Sequence, residues 1–172
     1  EQAIQEGFTA FSASCGLPKM LWFINRFPER LPQLYKFIHA SDFIAGRLCG
    51  SYDTTDYTNA MKSGYNIHEY TWPDYITEKL GIKAAWLQEV RPSGAALETL
   101  RPQLAQEWGL PQSVLVTTGM TDGCASQVAS GAVSPGQWNT TLGTTLVIKG
   151  VTEKEVKDPL GSIYNHRHPS GF

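Results

Sequence analysis

The sequence has 172 residues, 41% of them apolar and 11% aromatic, with a formal net charge of −2 at pH 7. That length suits one sizeable domain or pieces of two, and the composition can build a core, which argues against a disordered chain. Without a long basic or acidic run, neither a nucleic-acid partner nor a membrane surface is expected, and no apolar run is long enough to span a bilayer. Cys15, Cys49 and Cys124 are far apart, odd in number and without a C-x-x-C pair, which predicts reduced thiols in a cytoplasmic protein.

Residues 1–18 mix small polar residues with glycine and read as a loop ending at Pro18. Met20, Phe23, Ile24 and Phe27 recur at helical spacing, so a helix is predicted from Lys19 to Phe27, closed by Pro28. A short helical stretch over 29–38 follows, with Pro32 in its first turn. Ser41-Asp42 is a helix start, and Phe43 to Cys49 is the helix it caps, stopped by Gly50. Ser51 to Ala60 is polar and turn-prone, an irregular segment leading into a short helix near Ala60. Trp72-Pro73-Asp74 opens a helix that Gly81 ends. Residues 82–91 give a short helix and then an extended piece through Val90. Ser93-Gly94 is a turn, and Pro102 starts a helix over Gln103–Trp108 that Gly109 stops. Val114–Thr118, β-branched and uncharged, suits a buried strand. Gly123–Ser130 is a helix of small residues, Trp138–Lys149 a hairpin or bent strand pair, and Gly161–His166 one more strand. An α/β or α+β protein results, with a domain boundary expected between Gly131 and Gln137.

Two places in this order bear on chemistry. Asp122 stands at a strand-to-helix junction between Gly119 and Gly123. A carboxylate there serves as a helix cap, the more common role, or as a general base that accepts the proton of an attacking hydroxyl. Thr140-Thr141-Leu142-Gly143-Thr144-Thr145 is either a threonine-rich strand bulged at Gly143 or a phosphate-binding hairpin, in which N–H groups and hydroxyls donate and glycine gives room. No Gly-Lys-Ser/Thr follows, so it is not a Walker A loop. A carboxylate facing a phosphate cradle equips a protein for phosphoryl transfer. The His166 and His168 pair, without partner cysteines, reads as a solvated loop rather than a metal site. His39 and His68 default to structural roles, and Asp53, Asp56 and Asp74 read as caps. No Ser-His-Asp arrangement recommends itself.

Three blocks of the sequence resemble the FGGY family of carbohydrate kinases. Thr117-Thr118-Gly119-Met120-Thr121-Asp122 is similar to its G-x-x-D segment, and Ala132 to Thr145 to its phosphate-binding segment ending L-G-T-S/T. Ala40-Ser41-Asp42-Phe43-Ile44, Leu48-Cys49-Gly50 and Thr55 to Ala60 are similar to its D-Y-L, L-T-G and T-D-x-S-N-A elements. The resemblance implies an α/β fold of the actin-like ATPase (ribonuclease-H-like) type. It implies Asp122 as the catalytic base beside the sugar, Gly143, Thr144 and Thr145 at the nucleotide phosphates, and ATP with Mg²⁺ bridging those phosphates. No metal-ligating residue of the chain itself is expected. Members open with an Asp-x-Gly-Thr hairpin and close with glycine-rich adenosine segments, and this sequence has neither. It therefore reads as an internal piece, inactive alone, with residues 1–133 the later part of the N-terminal sugar-binding domain and 134–172 the start of the C-terminal nucleotide-binding domain.

Lys62 to Asn66 and Gly161 to Arg167 look most like the ribulokinase and xylulokinase branch, which implies phosphorylation of a ketopentose, D-ribulose or D-xylulose, at a terminal hydroxyl. Glycerol or gluconate is the alternative acceptor, and a non-catalytic sugar- or nucleotide-binding regulator of the same fold is the alternative outside enzymes. Partners are then a small sugar and ATP, with a homodimer allowed and no nucleic acid or membrane.

Overall fold

The computed structural model describes residues 11–156, 158 and 163–169. Contacts divide the chain into two compact units, one over residues 11–120 and the other, among the described residues, from Thr121 onward.

The first unit opens with helix α1 (Gly16–Arg26), which starts three residues before the predicted Lys19. Pro18 falls in its first turn, where a missing N–H is harmless. Leu17 and Met20 are buried, and the Phe23 ring lies 5.4 Å from that of Phe27 and 5.8 Å from that of Phe37. Pro28–Gln33 forms a 3-10 helix, but the predicted helix does not continue to residue 38. Pro32 lacks the N–H that an α-helical turn needs, and residues 34–39 run on without a helix. Their polar groups are met from afar: Phe37 N–H donates to the Trp86 carbonyl at 2.9 Å, and Lys36 Nζ to the carbonyls of Ala85 and Leu87.

Helix α2 (Ala40–Cys49) is capped by His39, not Ser41. Asp42, in its first turn, accepts the His39 N–H at 3.0 Å. Gly50 ends the helix in the left-handed region at φ 93°, as its glycine predicts. Strand β1 (Thr54–Asp56) runs directly into the short helix α3 (Tyr57–Ala60). After helix α4 (Asp74–Glu78) the chain returns as β2 (Glu89–Arg91), parallel to β1 with Thr55 opposite Val90. Strands β3 (Ala96–Thr99) and β4 (Leu115–Thr117) pair antiparallel around helix α5 (Pro102–Glu107). Leu100, Ala105 and Val116 form a core with Ala45 and Leu48 of α2, and Ala60, Tyr65 and Ile67 form another with Trp72 and Val90.

Three expectations need correction here. Strands β1 and β3 were not foreseen: each is short and has no hydrophobic run, and β1 exists because Thr55 and Asp56 are buried. The stretch Val114–Thr118 is not buried throughout. Leu115 and Thr117 are exposed while Val116 and Thr118 are buried, the alternation of a ribbon covered on one face. Asp53 is no cap; its Oδ1 accepts the Tyr35 hydroxyl at 2.6 Å and faces Lys36.

The second unit holds helix α6 (Asp122–Ala129) and a hairpin of β5 (Trp138–Leu142) and β6 (Leu146–Gly150). The register runs from Trp138 opposite Gly150 to Leu142 opposite Leu146. Gly143, Thr144 and Thr145 are therefore the loop at the hairpin tip, and Gly143 does not form a bulge within a strand. Residues 163–166 form no strand; residues 161 and 162 of the predicted one lie outside the described residues.

Candidate active site

Asp122 is the first residue of α6, preceded by Thr121 as N-cap. Its carboxylate is exposed and Oδ1 accepts the Gly123 N–H at 2.7 Å, an anionic group where the first-turn N–H groups and the helix dipole favour one. A Cβ on Gly123 would stand at an ordinary contact distance, 3.8 Å, from Lys149 Nζ. That ammonium reaches from β6 to the first turn of α6, donating to the Gly123 carbonyl and to Ser126 Oγ at 2.7 Å each. Asp122 and the hairpin thus belong to one hydrogen-bonded assembly within the second unit.

At the hairpin tip, a Cβ on Gly143 would meet nothing within 4 Å, so a ligand has open access to the backbone. The Gly143 N–H is already used, donating to the Thr145 carbonyl at 3.2 Å. Glycine here supplies room rather than a donor. The donors are on Thr144 and Thr145, both exposed, whose hydroxyls bond no other described residue. Such a tip fits an anionic group that brings many acceptor oxygens.

In the first unit, the end of β4 leading towards this sequence is firmly tied. Thr118 N–H donates to the Ala95 carbonyl at 2.9 Å and its carbonyl accepts the Gly94 N–H at 3.1 Å. Thr118 Oγ1 donates to the Pro92 carbonyl at 2.6 Å and accepts the Ala95 N–H at 3.0 Å. The predicted Ser93-Gly94 turn, with Gly94 at φ 83°, is what Thr118 grips.

Asp56 is fully buried and acts as the cap predicted for it. Oδ1 accepts the N–H groups of Thr58 and Asn59 and the Thr58 hydroxyl, and Oδ2 the Asn59 amide at 2.6 Å. Asn59 also donates to Ser41 Oγ. The T-D-x-S-N-A block is accordingly a structural knot.

The structure also brings together a constellation that was not foreseen. His39 Nε2 lies 3.0 Å from Ser63 Oγ and Nδ1 3.0 Å from Asp42 Oδ2, with Thr55 Oγ1 at 3.3 Å. The order serine, histidine, aspartate suggests a nucleophile, but Ser63 is 0% exposed and Gly16 packs so close that a Cβ there would collide with Ser63 Oγ. No substrate reaches it, and the cluster ties the start of α2 to β1 and to Ser63, against which Gly16 of α1 packs. The spacing of His39 and Asp42 was a visible signal for it. Ser63, 24 residues further on, was not. Among the described residues, no three His, Cys, Asp or Glu side chains gather as a metal site.

A match to the N-terminal domain of the FGGY family of carbohydrate kinases covers residues 3–129. The chain belongs to this family. FGGY relatives agree with the match: a gluconokinase of Bacillus licheniformis is 27% identical over 149 residues, which is 86% of this chain and 29% of the relative. A xylulose kinase of Bacillus subtilis is 27% identical over 172 residues, 98% of this chain and 33% of the relative. The crystal structure of xylulose kinase from Rhodospirillum rubrum superposes with a TM-score of 0.80 at 21% identity, over 92% of this chain and 32% of that one. The chain spans about a third of the length of these proteins. Its architecture is part of the α/β actin-like ATPase fold of the FGGY kinases.

Proposed function

We propose that the complete protein carrying this sequence transfers the γ-phosphoryl group of ATP to a hydroxyl of a small sugar or sugar acid. One observation carries the reading: an FGGY chain presents an exposed carboxylate, Asp122, on a helix bonded to a hairpin whose tip offers threonine hydroxyls that bond no other described residue. Asp122 would take the proton of the attacking hydroxyl as its oxygen bonds to phosphorus and the bond to the ADP oxygen breaks. Phosphoryl transfer passes through a loose transition state, so a weak base that orients the nucleophile suffices. Thr144 and Thr145 would donate to phosphate oxygens, and Gly143 would let them approach. Bound Mg²⁺ would supply positive charge to offset the negative charge of the nucleotide phosphates that Thr144 and Thr145 would hold.

For the acceptor we favour a ketopentose, D-xylulose over D-ribulose, on the strength of the xylulose kinase relative that aligns along nearly the whole chain. Gluconate is the second reading, favoured by the gluconokinase relative of equal identity. The division of the chain into sugar-binding residues 1–133 and nucleotide-binding residues 134–172 belongs to the same proposal.

The test is coupled ADP release by the complete protein over D-xylulose, D-ribulose, gluconate and glycerol, with Asp122→Asn in parallel. Turnover with D-xylulose that Asp122→Asn lowers at least about 10³-fold, with ATP binding kept, is the expected result. Full turnover in Asp122→Asn rules out the base, and no turnover with any acceptor favours a binding regulator of the same fold.

A further inference from the structure

Lys149 sits on β6 opposite Asn139, yet its side chain leaves the hairpin for the first turn of α6. Nζ donates to the Gly123 carbonyl and to Ser126 Oγ at 2.7 Å each, and Ser126 Oγ donates to the same carbonyl at 2.9 Å. Three polar groups close a triangle on one turn of helix. This is the unfavourable end for a cation, because the helix dipole places partial positive charge at the N-terminus. The ammonium is half-buried there, and ordering a long lysine stem costs side-chain entropy. Two short charge-assisted hydrogen bonds offset those costs. Asp122 helps as well: its carboxylate binds the N–H of Gly123 while Lys149 binds the carbonyl of Gly123. One residue, Gly123, therefore holds both charged side chains through its two backbone groups.

We infer that Lys149 is a positioning residue that pins the Asp122 helix to the hairpin bearing Gly143, Thr144 and Thr145, and so sets the base against the phosphate donors. The inference rests on the kinase reading above. The partners of Lys149 are a carbonyl and a hydroxyl, not the Asp122 carboxylate, so its effect is geometric. A displacement of ~1 Å at a reacting group costs up to ~10²-fold in rate, and among the described residues Lys149 is the lysine that ties this helix to the hairpin.

The experiment measures kcat, KM for ATP and KM for sugar in the complete protein, with folded fraction and thermal midpoint by circular dichroism. Lys149→Met keeps the stem and removes every donor. Its kcat should fall about 10- to 100-fold with both KM values within about twofold and the folded fraction unchanged. Ser126→Ala removes one of the two anchors on an exposed helical position that tolerates alanine, and its kcat should fall by a smaller factor. A kcat within about twofold of the unsubstituted protein in Lys149→Met overturns the inference, as does a loss that only follows the folded fraction. If Lys149→Met does not fold, Ser126→Ala decides by the same criterion. Asp122→Asn separates the two claims: its loss of turnover beside an active Lys149→Met sinks the positioning role alone, whereas its retention of turnover rules out Asp122 as the base and this inference with it, and no turnover by the unsubstituted protein with any acceptor sinks the kinase reading.

Discussion

Asp56 is a fully buried carboxylate of the first unit, and its contacts set the cost of losing it. A carboxylate at 0% exposure is tolerable because both oxygens are saturated. Oδ1 receives Thr58 N–H at 2.8 Å, the Thr58 hydroxyl at 2.6 Å and Asn59 N–H at 3.2 Å, and Oδ2 receives the Asn59 amide at 2.6 Å. Asp56→Ala removes the cap of α3, worth ~1 kcal/mol, and the charge-assisted hydrogen bond from the buried Thr58 hydroxyl, worth ~1.5–3 kcal/mol. Asn59 keeps Ser41 Oγ, so its loss is partial. The total is ~2.5–4 kcal/mol. Asp56→Asn keeps the Oδ1 acceptor but turns an amide toward the amide of Asn59, donor against donor, and forfeits charge-assisted bonds worth ~1.5–3 kcal/mol. It should cost ~2 kcal/mol. Exchanging the two groups in Asp56→Asn/Asn59→Asp restores a donor facing an acceptor, and the Ser41 hydroxyl can turn to donate. The double variant should regain ~1 kcal/mol over Asp56→Asn, visible as a coupling energy. Urea unfolding at pH 7, with linear extrapolation, reads all three. Asp56→Asn as costly as Asp56→Ala, or a double variant no better than Asp56→Asn, refutes the account of which oxygen does what.

Burial first, and then the neighbouring Tyr57 and Tyr70, push the Tyr65 hydroxyl up to about 12, against ~10 in an unfolded chain. The folded protein thus keeps a proton that the unfolded chain gives up, and stability falls as pH rises from about 10 towards about 12; Tyr65→Phe should flatten that fall in urea midpoints at pH 9 and 11, and an unaltered fall rejects it. Gly46→Ala drives a Cβ into the Tyr52 ring and should destabilise by ~1–3 kcal/mol, with an unchanged thermal midpoint as the contrary result. Thr144→Val removes a hydroxyl donor at the hairpin tip and should raise KM for ATP several-fold, about what one hydrogen bond contributes, while KM for sugar stays put; equal rises in both count against the phosphate role.

The elements that the sequence makes legible are those whose ends are chemically marked. Pro28 and Gly50 stop helices where expected, Gly94 turns the chain, and the threonine-rich run folds back on itself. What stayed hidden depends on partners far along the chain. Strand β1 is three polar residues, held by pairing with β2 some 35 residues later and by burial that no local periodicity announces. Ser63 meets His39 only because α1 packs its glycine against it. Lys149 likewise looks like an ordinary exposed residue on an alternating strand until the fold brings α6 within reach.

Asp122 shows why local reading stalls between a cap and a base. The two roles are not exclusive, because a carboxylate has two oxygens. Oδ1 is committed to the Gly123 N–H at 2.7 Å, which holds the group in the first turn, one residue inside the N-cap Thr121. Oδ2 makes no bond among the described residues and remains available to a hydroxyl. The contact that makes Asp122 look merely structural is therefore the one that would hold it in place as a base: a carboxylate free at both oxygens would rotate, and would orient a nucleophile less well than one anchored through its neighbour's amide.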